Sequence, residues 1–204
     1  MISTAKKYLG IGINERYELM DYYNLHCFRL VSPNRRYRIQ RNDEWCAMFT
    51  SVIAHMNGLT REQFPYEVSV FYQYKWAKDR GLFFTKSSMV KPNDLIIYDW
   101  NANGTYDHVG FVVSVSGGFI KAIEGNKDST VSYRTIKADS RVIKGFIKIY
   151  AKGKAERESD NERIERLVVE TLSGKHGNGL DRIKSLGNDH YEVQRRINER
   201  LSKR

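Results

Sequence analysis

The texture of the chain changes at Pro92, and that change constrains the fold more than any other feature. Before it, apolar residues recur at helical spacing. Segments 4–9, 15–24, 45–56 and 69–78 read as helices, with Ser3 and Asn42 or Asp43 as caps and Gly58 and Gly81 as stops. After it come short runs rich in β-branched and aromatic residues: 95–98, 108–115, 119–123, 131–136 and 142–150. Gly117-Gly118 falls between two of these runs and marks a tight hairpin. Helices first and neighbouring strands second predict an α+β domain, its helices packed on an antiparallel sheet. Segment 33–41, with Arg35, Arg36, Arg38 and Arg41, reads as an exposed loop.

The strand pattern stops near residue 152. Segment 153–161 is charged, contains no large apolar residue and reads as a linker. Helical spacing then returns over 162–172, 180–186 and 191–201, punctuated by Gly174, Gly177, Gly179 and Gly187. The expected organisation is a catalytic domain over 1–152, a linker over 153–161 and a three-helix bundle over 162–204. A bundle that small buries little surface by itself.

A formal net charge of +10 calls for an anionic partner: nucleic acid, a lipid surface or a polyanionic cell-wall polymer. The placement of the charge narrows this. From Glu156 onward there are ten acidic and eleven basic residues, a net +1, so +9 resides in the preceding part. That argues against a basic nucleic-acid tail and fits a catalytic body working beside a negatively charged polymer. No apolar run approaches ~18 residues, so no membrane insertion is expected. The opening Met1 to Gly10 has too short an apolar stretch for a signal peptide. The expectation is synthesis without an export signal of its own, so that, if the substrate lies outside the membrane, something else must carry the chain there.

Two cysteines are too few for a disulfide scaffold. Cys46 opens a predicted helix, where the positive end of the helix dipole favours a thiolate. A buried structural thiol is the alternative, and it is the reading taken for Cys27. A bridge between Cys27 and Cys46 would consume the more reactive thiol. His108 stands at the entrance to an apolar strand, hence at the rim of the sheet; His26, His55, His176 and His190 read as structural or surface groups. A cysteine and a histidine distant in sequence are what a thiol hydrolase requires, because imidazole must take the thiol proton and later protonate the leaving amine. Glu124 and Asn126 close the next strand, and the Gly117-Gly118 hairpin returns them towards His108. A carboxylate there would fix the imidazole tautomer, with Asn126 sharing that task or stabilising nearby charge.

Four blocks in order, Trp45-Cys46-Ala47-Met48-Phe49, Asp94 to Trp100, Asp107-His108-Val109-Gly110 and Ile123-Glu124-Gly125-Asn126, resemble the CHAP domain, the cysteine- and histidine-dependent amidohydrolase/peptidase of phage endolysins and bacterial autolysins. The resemblance covers about residues 1–150. It implies a papain-like fold and hydrolysis of an amide bond in peptidoglycan, with Cys46 as nucleophile, His108 as base, Glu124 as its orienting partner and Asn126 at a polar family position. No cofactor is implied by this chemistry. Asp99, Asn101 and Asn103 have the spacing of the first half of an EF-hand calcium loop. The twelfth position, however, is Gly110 rather than a bidentate glutamate, and Asx turns explain the same residues without metal.

The tail resembles a single CW-seven repeat, the three-helix cell-wall-binding motif of phage lysins. The resemblance lies in Leu172 to Arg182, then Gly187, Asp189, Val193-Gln194 and Asn198. It implies wall-binding roles for Lys175, Gly177, Asn178, Gly179, Asp181 and Arg182. His176, Asn188 and His190 stand where aromatics are usual, which removes an expected platform for sugar or peptide. The expected partners are therefore peptidoglycan and anionic wall polymers, without nucleic acid; oligomeric state is not legible. The rival readings are a bacterial autolysin or NlpC-type cysteine peptidase, and a non-catalytic basic wall-binding protein.

Overall fold

The structure is a computed structural model that describes residues 1–101, 103–150 and 155–202, with the side chains of 155–163 and 188 left aside. The chain divides into two compact units, Met1–Ala151 and Lys152–Arg204, described separately below.

In the first unit, four helices precede the sheet: α1 (Ile2–Lys6), α2 (Ile13–Tyr22), α3 (Cys46–Met56) and α4 (Val70–Lys78). Six strands follow: β1 (Phe83–Phe84), β2 (Leu95–Tyr98), β3 (His108–Ser116), β4 (Phe119–Lys127), β5 (Thr130–Lys137) and β6 (Ile143–Ile147). They form one antiparallel sheet in the order β1-β6-β2-β3-β4-β5. This is the α+β arrangement that the change of texture at Pro92 predicts.

Several boundaries differ from the sequence reading, each for a physical reason. Helix α2 ends at Tyr22 and widens into a π-turn over Tyr23–Cys27, which carries Tyr23 and Cys27 into the core. Segment 33–41 is exposed as expected except at Arg35, half-buried beside Glu67 and Tyr72, and at Ile39, which is buried and whose N–H and C=O both bond the Asn24 side chain. Strand β4 runs on past Ile123 to Lys127, because Glu124 still pairs with Ser132 and Lys127 with Thr130. Strand β6 stops at Ile147 rather than Tyr150.

Alternation along the strands divides the core in two. Leu95, Ile97, Val109, Phe111, Ile123, Val131 and Ile147 pack under the helices, joined by nearly every residue of α3. Ile96, Tyr98, Val112, Ile120, Ala122 and Phe146 form a smaller cluster on the other face. Helix α3 lies directly on β3 and β4, and Gly125 is why it can: a Cβ there would sit 2.5 Å from Phe49 Cβ and 2.6 Å from its Cγ. Gln73 of α4, fully buried, donates to the carbonyls of Ala47 and Glu67 and to the Thr50 hydroxyl. These bonds tie α4 to the first turn of α3, the turn that carries Cys46.

The second unit holds α5 (Ala155–Leu172), α6 (Gly179–Leu186) and α7 (His190–Leu201) around Ile164, Val168, Leu186, Val193 and Ile197. Helix α5 begins seven residues before Glu162 and takes in most of segment 153–161; residues 153 and 154 lie outside the described residues. A lack of large apolar residues means there is little to bury, whereas alanine, glutamate and arginine are strong helix formers. No described helix is long and apolar enough to cross a membrane.

Candidate active site

Helix α3 starts at Cys46, so the thiol occupies its first turn, where backbone N–H groups have no intrahelical acceptor. The side chain is buried, and its interaction with His108 is among those that raise the imidazole pKa. His108 opens β3, opposite Tyr98 on β2, and is 8% exposed. Its Nε2 lies 3.1 Å from Glu124 Oε2, which leaves Nδ1 as the nitrogen for Cys46. Cys46, His108 and Glu124 are thus brought into one chain of contacts.

The geometry between His108 and Glu124 depends on a glycine. In the register of β3 with β4, Phe111 faces Ile123, so Gly110 lies across from Glu124. A Cβ on Gly110 would fall 2.5 Å from Glu124 Cγ and 2.9 Å from the Ile123 carbonyl oxygen. The bare backbone at 110 lets the glutamate lie across β3 and reach the imidazole two residues away.

Electrostatics favour a charged pair. Burial opposes the imidazolium, yet its interactions with Cys46 and with Glu124, whose carboxylate accepts its N–H, prevail and push the His108 pKa up to about 9. Burial likewise opposes the Glu124 carboxylate. His108, the Tyr98 hydroxyl facing it and Arg134 outweigh that cost and hold its pKa below the ordinary carboxylate range. The Tyr98 hydroxyl is buried and lies outside good hydrogen-bond geometry, so it acts through proximity.

Asn126 is placed elsewhere. Its φ of +59° turns the chain at the end of β4, and its amide donates to Glu44, two residues before Cys46. It tethers the segment leading into α3 rather than touching His108. Cys27 is fully buried, its thiol facing the Ser51 carbonyl at 3.9 Å, and burial pushes its pKa up to about 12. Both cysteines are unpaired.

Nothing in the sequence spacing singles out Arg134 or Trp100. Arg134 on β5 contacts both carboxylate oxygens of Glu124 through Nε, at 3.0 and 2.9 Å. Trp100 stacks on Tyr98 with ring centroids 4.5 Å apart and lies 5.9 Å from the His108 ring, 40% exposed. Cation–aromatic pairing could have hinted at them, but only the register identifies the partners.

In the loop after β2, Asp99 Oδ1 and Oδ2 accept the N–H groups of Asn103 and Gly104, and Asn103 Oδ1 accepts that of Thr105. The Asn103 bond is an Asx turn, Asp99 closes the loop four and five residues ahead, and Lys144 Nζ adds a cation 3.5 Å from Asp99. Asn101 is exposed. Among the described residues, no group of three or more histidine, cysteine, aspartate or glutamate side chains could hold a metal ion.

In the second unit, Asn178 caps α6, and Gly177 and Gly179 flank it at φ +63° and +55°. Arg182 donates to the Gly177 carbonyl, Asn178 Oδ1 and Gln194 Oε1, so it fastens the turn to α7. Lys175 pairs with Glu170 at 3.6 Å, and Asp181 is exposed in the first turn of α6. His176 bonds Ser185 and Glu170. The aromatic offered to solvent is Tyr191, 82% exposed, in a groove of about 310 Å³ shared with His190, Gln194, Arg195 and Asn198.

A thiol on a helix start, an imidazole on the sheet rim and a buried carboxylate behind it therefore meet in one place. The chain carries a CHAP domain, matched over residues 37–126, and a CW_7 repeat, matched over residues 165–201. No curated protein matches the chain. Similar solved structures include an NlpC/P60 family protein from Bacillus cereus, with 17% identity, TM-score 0.35 and coverage of 53% of this chain and 32% of that one. Another is Ly7917, with 13% identity, TM-score 0.36 and coverage of 68% and 63%. The chain therefore spans about a third of the length of the first and under two thirds of the second.

Proposed function

We propose that this chain is a peptidoglycan hydrolase of the phage endolysin type, cutting an amide bond with Cys46, His108 and Glu124. The observation that carries this reading is the Cys46–His108–Glu124 contact chain inside a CHAP domain. With a pKa of about 9, His108 holds a proton at neutral pH and stands as the acid beside the Cys46 sulfur. Cys46 Sγ attacks the scissile carbonyl carbon. The oxyanion that forms is stabilised by first-turn N–H groups of α3, that of Cys46 among them. His108 passes its proton to the leaving nitrogen, the C–N bond breaks and a thioester remains. Water, deprotonated by the now neutral imidazole, hydrolyses the thioester and restores the thiolate–imidazolium pair. Glu124 keeps the ring oriented throughout.

The reaction requires no cofactor, since these three side chains supply nucleophile, acid–base group and orienter. The CW_7 repeat supports a second role, retention on the wall. The excess positive charge of the first unit suits anionic wall polymers. Mass spectrometry of digested peptidoglycan tests the assignment by the termini it releases. New muropeptide amines and carboxylates are expected, and their identity separates an N-acetylmuramoyl-alanine amidase from a stem or cross-bridge endopeptidase. Glycan-strand cleavage, or intact wall, would overturn it.

A further inference from the structure

We propose that Arg134 is a positioning residue of this site, its guanidinium holding Glu124 as a buried, ionised carboxylate aimed at His108. The inference rests on the catalytic reading above and adds a fourth member to it.

Glu124 is fully buried, and a carboxylate removed from water persists as an anion only where charge and hydrogen bonds compensate it. His108 supplies one bond, to Oε2. Arg134 supplies the other contacts, Nε reaching both oxygens at 3.0 and 2.9 Å. The sheet places the two residues for this. Arg134 pairs with Ala122 and Ser132 with Glu124, so arginine and glutamate project from one face as diagonal neighbours across β4 and β5. Aromatic rings cover the pair: the guanidinium carbon lies 4.5 Å from the Trp100 ring centroid and 5.5 Å from that of Tyr98. Trp100 also leans on His108, so the base and the ion pair behind it share one cover.

The groups facing Glu124 are the Tyr98 hydroxyl from β2, His108 from β3 with Cys46 of α3 beyond it, and Arg134 from β5. Asp128, in the turn after β4, feels Arg134 and pairs with Lys127. Among the described residues, Arg134 is thus the permanent cation that faces the carboxylate directly. Without it, the balance tips towards a protonated Glu124, which no longer supports the imidazolium.

The test is the pH profile of wall clearing at limiting substrate, measured on the full chain. In Arg134→Gln the acid limb should move to higher pH by about one unit or more, since a neighbouring cation lowers a carboxylate pKa by roughly 1–3 units. The rate loss should be largest at low pH and shrink as pH rises. Arg134→Lys should shift the limb in the same direction by less, because an ammonium is a single point charge without the planar fork. In a Glu124→Gln background, replacing Arg134 should move nothing further. A rate lowered equally at every pH, with the limb in place, would make Arg134 merely structural and overturn the proposal. Should Arg134→Gln fail to fold, Arg134→Lys decides: a shifted limb supports the proposal and an unshifted limb refutes it. Cys46→Ala run alongside separates the two levels, since clearing by that variant would refute the thiol reading itself.

Discussion

Replacing Gly125 by alanine should impair catalysis although the residue touches no reacting atom. Its backbone lies outside the left-handed region, so alanine carries no conformational penalty there. The added Cβ would fall 2.5 Å from Phe49 Cβ and 2.6 Å from Cγ. Carbon atoms rest at about 3.5–4.0 Å, so α3 and β4 must separate locally by roughly 1 Å. Phe49 lies one turn beyond Cys46, and the strain of overpacking is typically about 1–3 kcal/mol. For a chain of this size each kcal/mol moves the midpoint by about 2–4 °C, giving a fall of roughly 2–12 °C in thermal unfolding followed by circular dichroism. A displacement of ~1 Å between nucleophile and base can cost ~100-fold in turnover, so the clearing rate of purified walls should fall by about that factor. Gly118→Ala is the control. It sits at φ +78° with no atom within 4 Å, so it costs local strain without moving α3. Wild-type clearing and an unchanged midpoint for Gly125→Ala would refute the claim that this close approach sets the position of Cys46.

Activity should decline as pH rises through about 9, where His108 loses its proton, and a decline centred near 6.5 would contradict the raised value. The linked stability has the same sign: the His108 contribution is complete below 6.5 and gone above about 9, visible as a falling thermal midpoint across that window. Arg182→Ala removes three bonds holding the Gly177–Gly179 turn to α7, so co-sedimentation with walls should drop while cleavage of soluble muropeptides is preserved; unchanged sedimentation would sink the binding role of the repeat. Chelation should leave clearing intact, because Asp99 and Asn103 spend their oxygens on backbone N–H groups; restoration by added calcium would instead make them ligands.

Much of the site is legible in the chain because its signals are local. A cysteine at a helix start, a histidine at a strand entrance and a Gly-Gly hairpin with a glutamate beyond it are each visible within a few residues. Gly110 and Gly125 belong to the same blocks, and the structure supplies their physical reason: each clears room for a neighbour that the fold brings close. What stays hidden depends on register or on distant pairing. Arg134 meets Glu124 only because β5 pairs with β4 as it does, and Asn126 finds Glu44 across 82 residues of sequence. Strand β1 has two residues, too short for any alternation. The start of α5 escapes because hydrophobic periodicity reports burial, whereas helix propensity works without it. In the repeat, the Gly-Asn-Gly turn is recognisable, but its arginine turns inward while Tyr191 faces solvent.

The most direct measurement is the clearing rate of Cys46→Ala beside Cys27→Ala, with both variants checked for folding. Cys27 is buried with its pKa pushed up to about 12, so its replacement should leave the rate within a few-fold of wild type. In the proposed mechanism Cys46 forms the thioester, so its replacement should abolish clearing while wall binding persists. Clearing by Cys46→Ala at the wild-type rate would contradict the account.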